Sequence, residues 1–304
     1  MKYLIIGSGG TGGSIGAMLT LNKEDVTFIS RGKNLEALKR DGLSYHSGIK
    51  GNHTITVKVC SEDEYDDNPD VIFVCVKGYS ISSVLPIIKK AALEHTLIIP
   101  IMNGYNMSEK ISSQITVGHV LEGCIYISAF VEQPGTIVQL GPLFKVVFGK
   151  KPSQLIDDSK LIELRDVLSD CGIDTYLSEY IQRDTYKKYT FISAYAACGA
   201  YYDIEAIVMQ EDTAARKTFI KLCEEMNILG HTLNINLDDD SVTANLNVLA
   251  SLTPDTTASM QKDMKAGRKT EIDGLVFEVV KLAKQHDISL PTYEKIADYF
   301  RYDN

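Results

Sequence analysis

The sequence has no apolar run approaching the length of a membrane span, so no membrane-spanning helix is expected. It has no excess of basic residues. Its 31 Lys and Arg face 40 Asp and Glu, a formal net charge of -9 that disfavours nucleic acid and anionic membrane as partners, local basic patches aside. It has no cysteine pair at metal-ligand spacing. Cys60, Cys75, Cys124, Cys171, Cys198 and Cys223 are scattered, the pattern of buried small hydrophobes in a reducing compartment. No leader-like stretch precedes the first apolar run at Tyr3, so no signal peptide is expected and the cytoplasm is the expected compartment. What is present is ordinary: 304 residues, 44% hydrophobic and 23% charged, enough for one large core or, more in keeping with the length, two domains.

Residues 3–31 organise the chain. Tyr3–Leu4–Ile5–Ile6 is a short apolar run. Gly7, Gly9 and Gly12 follow at G-x-G-x-x-G spacing, then a helix-period pattern, then a second apolar run, Val26–Ile29. Strand, tight turn, helix, strand is an order that can hold a dinucleotide. Gly7 makes the turn, Gly9 lets the pyrophosphate reach the backbone, and Gly12 lets helix pack on strand. Free N–H groups at the helix start would receive the phosphate charge. The alternative is a glycine-rich turn with no ligand. After the second strand come Ser30–Arg31, with Lys33 nearby and no carboxylate. An acidic residue there would bond the ribose 2′-OH and repel a 2′-phosphate, whereas arginine suits the phosphate. The pattern favours NADP(H) over NAD(H), unless Arg31 is a solvated strand-end group.

Residues 35–40 read as helical, and 43–46 and 54–59 as two short strands; 61–70 is a solvated acidic connection. The continuous apolar run 71–76 suits a strand covered on both faces and ends at Lys77–Gly78. A helix over 82–93 follows, tolerating Pro86 only near its first turn, then a strand over 96–100 and the pair Asn103–Gly104. Ligands of such sheets gather at the carboxyl ends of strands. Lys77 and Asn103 are therefore site candidates, weighed against a solvated lysine and a plain turn pair. Segments 116–120, 123–131, 136–140 and 145–149 read as a terminal strand group closing the sheet, with a helix over 159–171 and a run at 173–177 finishing this half.

Beyond about residue 178, apolar residues recur at helical spacing through 181–200, 212–229, 242–252, 271–285 and 292–300, with Pro291 suited to a first helical turn. A helical domain is expected, and a cleft between two domains is the usual place for a substrate. Lys188 lies among apolar and aromatic residues, where an ammonium must reach a pocket or snorkel to water. Ser259 and Asp263, four apart, share a helical face, and Thr270–Glu271 begins the next helix. Pattern alone singles out none of Ser259, Asp263 and Glu271, and Asp263 could equally pair with a neighbouring lysine.

The N-terminal GSGGTGGSIGAMLT, Arg31, Lys77, Met102–Asn103–Gly104 and Tyr186–Lys187–Lys188 together resemble the ketopantoate reductase (2-dehydropantoate 2-reductase, ApbA/PanE-like) family. The resemblance is strongest at Ser259–Met260, Asp263, Arg268 and Thr270–Glu271–Ile272–Asp273, and it runs the whole chain in order. It implies an α/β protein: a Rossmann-type NADP-binding domain over 1–178 and an all-helical substrate and catalytic domain over 179–304. It further implies NADPH-dependent reduction of a 2-keto acid, foremost ketopantoate to pantoate, with Lys188 as general acid and Glu271 orienting the lysine or substrate. Asn103, Ser259, Asp263 and Lys77 would contact substrate, with Ser259 holding the carboxylate of the substrate. Gly7, Ser8, Gly9, Gly10, Thr11, Gly12, Arg31, Lys77, Asn103 and Glu271 would contact NADP(H). The neighbouring Lys187 leaves two registers, resolved to Lys188 by its spacing from Tyr186. The chain departs from the family where asparagines four and eight residues after the lysine are replaced by Ile192 and Ala196, and where another is Thr256. Those positions favour a less polar substrate pocket. The alternatives are a dehydrogenase of a more apolar hydroxy or keto acid and a non-catalytic NADP(H) sensor. A homodimer is expected by family analogy, and nothing resembles a metal site.

Overall fold

A computed structural model describes residues 1–238 and 240–302. The chain forms two compact units, one of Met1–Met102 with Asn106–Ile181 and the other of Asn103–Tyr105 with Gln182–Asn304.

The first unit carries strands β1 (Lys2–Ile6), β2 (Asp25–Ile29), β3 (Leu43–Ser47), β4 (Gly51–Ile55), β5 (Lys58–Cys60), β6 (Val71–Val74), β7 (Leu97–Pro100), β8 (His119–Val120), β9 (Glu122–Gln133), β10 (Thr136–Gly149) and β11 (Asp174–Leu177). Its helices are α1 (Gly10–Leu21), α2 (Gly32–Asp41), α3 (Ile81–Ala91), α4 (Met107–Ser112) and α5 (Asp158–Asp170). Six parallel strands form a sheet in the order β5-β2-β1-β6-β7-β8. The chain leaves β1 toward β2 on one side and returns to β6 on the other. The carboxyl end of β1 is thus a topological switch point, where open sheets of this kind bind ligands. The period-2 alternation of β1 divides two cores: Tyr3 and Ile5 face one, Leu4 and Ile6 the other.

Only β8 of the expected terminal strand group joins this sheet. β9 and β10 pair antiparallel and belong to a second, five-stranded sheet with β3, β4 and β11. The run 54–59 likewise divides between sheets, β4 pairing with β3 and β5 with β2. Alternation shows that a segment is a strand but does not name its neighbour. Glycines explain how α1 fits between the sheets. An added Cβ would lie 2.1 Å from the Gly7 carbonyl oxygen at Gly12 and 2.2 Å from the Phe28 ring at Gly16. On the opposite side it would lie 2.4 Å from the Ala129 carbonyl oxygen at Gly10 and 1.8 Å from Ile137 at Gly13. Pro86 falls at the sixth position of α3, beyond the first turn where it was expected. Ser82, whose carbonyl loses a helical partner there, is exposed and open to water.

The second unit is helical among its described residues: α6 (Ile181–Tyr202), α7 (Ala206–Gln210), α8 (Ala214–Thr232), α9 (Ser241–Ser251), α10 (Ser259–Lys265), a π-helical turn (Asp273–Phe277), α11 (Glu278–Gln285) and α12 (Pro291–Tyr302). Its core gathers Tyr186, Tyr189, Phe219 and Tyr293, each at most 1% exposed. Pro291 opens α12, as its fixed φ favours. The buried Glu225 carboxylate caps that helix by accepting from the backbone N–H groups of Thr292 (2.8 Å) and Tyr293 (3.0 Å). The π-turn was not expected. Its carbonyls are held by α6 side chains, Tyr189 Oη donating to Gly274 O (2.7 Å) and Ser193 Oγ to Leu275 O (2.5 Å).

Candidate active site

In the first unit the site begins where β1 ends. Gly7 has φ +99°, a left-handed conformation that favours glycine, and Cys75 backbone atoms stand 3.0 Å from where its Cβ would be. Gly12 lets α1 close onto that turn. Gly9, the N-cap of α1, is different: a Cβ there would meet nothing within 4 Å. One glycine of the motif is thus required for folding the turn, one for packing, and the middle one fronts open space beside the first-turn N–H groups of Gly10, Thr11 and Gly12. Those donors have no partner within the helix and suit an anion. A dinucleotide pyrophosphate fits that cradle.

Ser8 does not offer its side chain to a ligand in this arrangement. It is buried, and its hydroxyl donates to Ser30 Oγ (2.7 Å) while accepting from Asn34 Nδ2 (2.8 Å). Any part it has in cofactor binding falls to its backbone. After β2, Arg31 is the extended N-cap of α2 and is exposed, with Gly32 and Lys33 exposed behind it. Two cations at a helix N-terminus form a surface suited to a phosphate. Lys77 lies three residues past the end of β6, half-buried, capping a short 3-10 turn over Gly78–Ser80.

Asn103 lies three residues past the end of β7 and belongs to the second unit. Tyr105 supplies the physical reason. Its ring stacks on Tyr189 (centroids 6.1 Å, 22°) and meets Tyr186 edge-on (5.5 Å, 87°), tying the 103–105 segment to α6. Asn103 Oδ1 accepts a hydrogen bond from Lys188 Nζ at 3.1 Å. Lys188 is only 9% exposed. The adjacent Lys187 is paired with Asp238 instead, so the two lysines are separated by environment as well as by register. Glu271 is 6% exposed and precedes the π-turn, its carbonyl accepting from the N–H groups of Gly274 and Leu275.

The S-M-x-x-D stretch forms α10. Ser259 is exposed at its first position, and Asp263 accepts from Arg268 Nε (2.8 Å) while its backbone carbonyl accepts from Arg268 N. Asp263 therefore closes the turn after α10 through Arg268. Between them Gln261, buried, bonds Gly199 O and Ile204 O and locks α10 to the end of α6. Ile192 packs on the helical core and Ala196 is buried. Thr256 faces its own loop, its hydroxyl 2.8 Å from that of Thr253 and its carbonyl accepting from Tyr195 Oη. Sequence reasoning missed Asn34, Tyr105 and Gln261, whose partners lie far along the chain. Among the described residues no cluster of His, Cys, Asp and Glu could hold a metal, and no helix is long and apolar enough to cross a membrane.

A switch-point glycine cradle on a Rossmann-like parallel sheet, followed by a helical unit with a buried lysine, defines the class: a dinucleotide-dependent oxidoreductase. Two family models match, Ketopantoate reductase PanE/ApbA over residues 3–153 and Ketopantoate reductase PanE/ApbA C terminal over residues 180–302. The chain belongs to the ketopantoate reductase PanE/ApbA family, and it is an oxidoreductase of the NAD(P)-dependent 2-keto/2-hydroxy-acid class. It is 28% identical over 296 residues to the uncharacterized oxidoreductase YkpB of Bacillus subtilis, covering 97% of this chain and 96% of that one. It is 28% identical over 305 residues to the 2-dehydropantoate 2-reductase of Aquifex aeolicus, covering 97% and 94%. Its fold also matches D-mandelate dehydrogenase in ternary complex with NADH and anilino(oxo)acetate, at TM-score 0.89 and 19% identity over 98% and 96% of the two chains.

Proposed function

We propose that the chain reduces a 2-keto acid with NADPH, ketopantoate to pantoate foremost, using Lys188 as general acid. The observation that carries this reading is the buried Lys188 ammonium hydrogen-bonded to Asn103, a residue just past the carboxyl end of a sheet strand. Gly7–Gly12 and the α1 N-terminus would hold the pyrophosphate, Arg31 and Lys33 the 2′-phosphate, and Lys77 the nicotinamide-side ribose. When bound, NADPH supplies hydride to the substrate's carbonyl carbon. The chain's own work is at the oxygen. An ammonium carries three donors, so the bond to Asn103 orients Lys188 without excluding donation to a substrate carbonyl. In a site largely removed from water, that donation stabilises charge developing on the oxygen and delivers the proton. Glu271 holds the lysine or substrate in place, and Ser259 takes the substrate carboxylate, with Asp263 bracing its helix. The working form is a cytoplasmic homodimer.

A second reading has its own support. Lys188, Ile192 and Ala196 recur at four-residue intervals on α6, and Phe191 stacks on Tyr195 (centroids 5.5 Å, 9°) beside them. An apolar ridge next to the acid suits a 2-keto acid with an aromatic or branched apolar substituent; the D-mandelate dehydrogenase structure holds anilino(oxo)acetate, whose substituent is aromatic. NADPH oxidation against hydroxylated, branched and aromatic 2-keto acids tests both. Turnover fastest with ketopantoate supports the first reading, turnover fastest with an apolar acid the second, and no oxidation of any acid refutes the proposal.

A further inference from the structure

We infer that Asn34 is a positioning residue that sets the spacing between the two phosphate-binding elements and thereby the preference for NADPH over NADH; this rests on the cofactor reading above. The pairing of β1 with β2 ends at Ile6 and Ile29. Beyond it no ladder holds the Gly7–Gly9 turn against Ser30–Arg31, yet a 2′-phosphorylated dinucleotide must meet both at once. Side chains make the connection. Ser8 Oγ donates to Ser30 Oγ (2.7 Å), and Asn34 Nδ2 donates to Ser8 Oγ (2.8 Å), with Ser30 Oγ (3.2 Å) and Ser8 O (3.3 Å) also in reach.

The orientation of the amide is fixed from its other end. Asn34 Oδ1 accepts from the backbone N–H of Gly135 (2.8 Å), which has no acceptor capacity, so Nδ2 must face the serines. Gly135 lies in the turn between β9 and β10, and its carbonyl accepts from Ser44 N (2.8 Å). One amide in the first turn of α2 therefore joins the glycine loop, the end of β2 and the hairpin of the second sheet. Ser8 and Ser30 are 8% and 6% exposed. Their hydroxyls are shielded from water, which cannot readily replace the amide. With the amide gone, only the Ser8–Ser30 hydrogen bond of this network joins the two elements, and the Arg31–Lys33 turn gains freedom relative to the pyrophosphate cradle. NADH lacks the 2′-phosphate that the Arg31–Lys33 turn would meet, so NADPH is the more sensitive to the change.

The test is fluorescence titration of NADPH and NADH on wild type, Asn34→Ala and Asn34→Asp, with thermal unfolding in parallel. Wild type should prefer NADPH. Asn34→Ala should weaken NADPH about tenfold, equivalent to about 1.4 kcal/mol, and NADH far less. Asn34→Asp keeps the acceptor for Gly135 but removes the donors and adds negative charge. It should lower the NADPH to NADH affinity ratio further, even if the alanine variant folds poorly. An unchanged ratio in both variants, whatever happens to the melting temperature, overturns the inference: Asn34 would then be structural only. A wild type that binds neither cofactor would instead overturn the cofactor reading itself.

Discussion

Two alanine substitutions three residues apart should separate folding from binding. At Gly12 the new Cβ would stand 2.1 Å from the Gly7 carbonyl oxygen and 2.8 Å from Cys75 Cβ, and a backbone atom cannot swing aside. Overpacking of this kind costs about 3 kcal/mol at the upper end, and Ala in place of a helical Gly returns about 1 kcal/mol. The net of about 2 kcal/mol should lower the melting temperature by roughly 4–8 °C. At Gly9 the backbone has φ -78° and ψ -168°, open to any residue, and the Cβ meets nothing within 4 Å. Losing a glycine cap costs a few tenths of a kcal/mol to about 1, and stiffening the unfolded chain returns about as much, so stability should hardly change. The methyl group does enter the space assigned to the pyrophosphate. NADPH affinity should fall on the order of 100-fold, from displaced or unpaired phosphate contacts. Differential scanning fluorimetry and fluorescence titration read the two effects separately. The reasoning is refuted if Gly9→Ala binds NADPH like wild type, or if it melts as early as Gly12→Ala.

Removing the Tyr105 ring should loosen the Asn103–Lys188 hydrogen bond. Tyr105→Ala loses two ring contacts of about 0.5–1.5 kcal/mol each, so turnover should drop with little change in NADPH affinity, and Tyr105→Phe should restore it. Failure of the phenylalanine to rescue would show that stacking is not what matters. Burial pushes the thiols of Cys198 and Cys223 up to about 12 from the ordinary 9.0. A raised pKa in the folded state means the stabilisation is complete below pH 9.0 and is lost as pH rises toward about 12. Each thiol should add to a progressive loss of stability across that window. Urea midpoints should fall accordingly, and replacing both cysteines with alanine should flatten the fall; an unchanged slope would refute the assignment.

How much was legible in the sequence follows from the range of the interactions. β1, α1 and β2 could be read because the glycines, the apolar runs and the helical period all lie within one short stretch. Lys188 is set apart from Lys187 in the sequence only through the family resemblance, by its spacing from Tyr186; the structure gives the two different surroundings, one buried on Asn103 and the other paired with Asp238. The division of β9 and β10 into a second sheet could not be read, since strand pairing depends on partners remote in sequence. Asn34 was hidden for the same reason, with partners 26 and 101 residues away. So was the π-turn, whose freed carbonyls are taken by hydroxyls of α6, 85 and 82 residues earlier. Ser8 lies inside the glycine motif, but the sequence gives no sign that its hydroxyl faces Ser30 and Asn34.

The central claim is that Lys188 delivers the proton. The most direct measurement is Lys188→Ala assayed with the best 2-keto acid of the substrate panel, for turnover and for NADPH binding on the same preparation. The account predicts turnover reduced by about 10²–10⁴-fold with NADPH bound as before, the contribution expected of a positioned general acid. Turnover retained at the wild-type rate would contradict it.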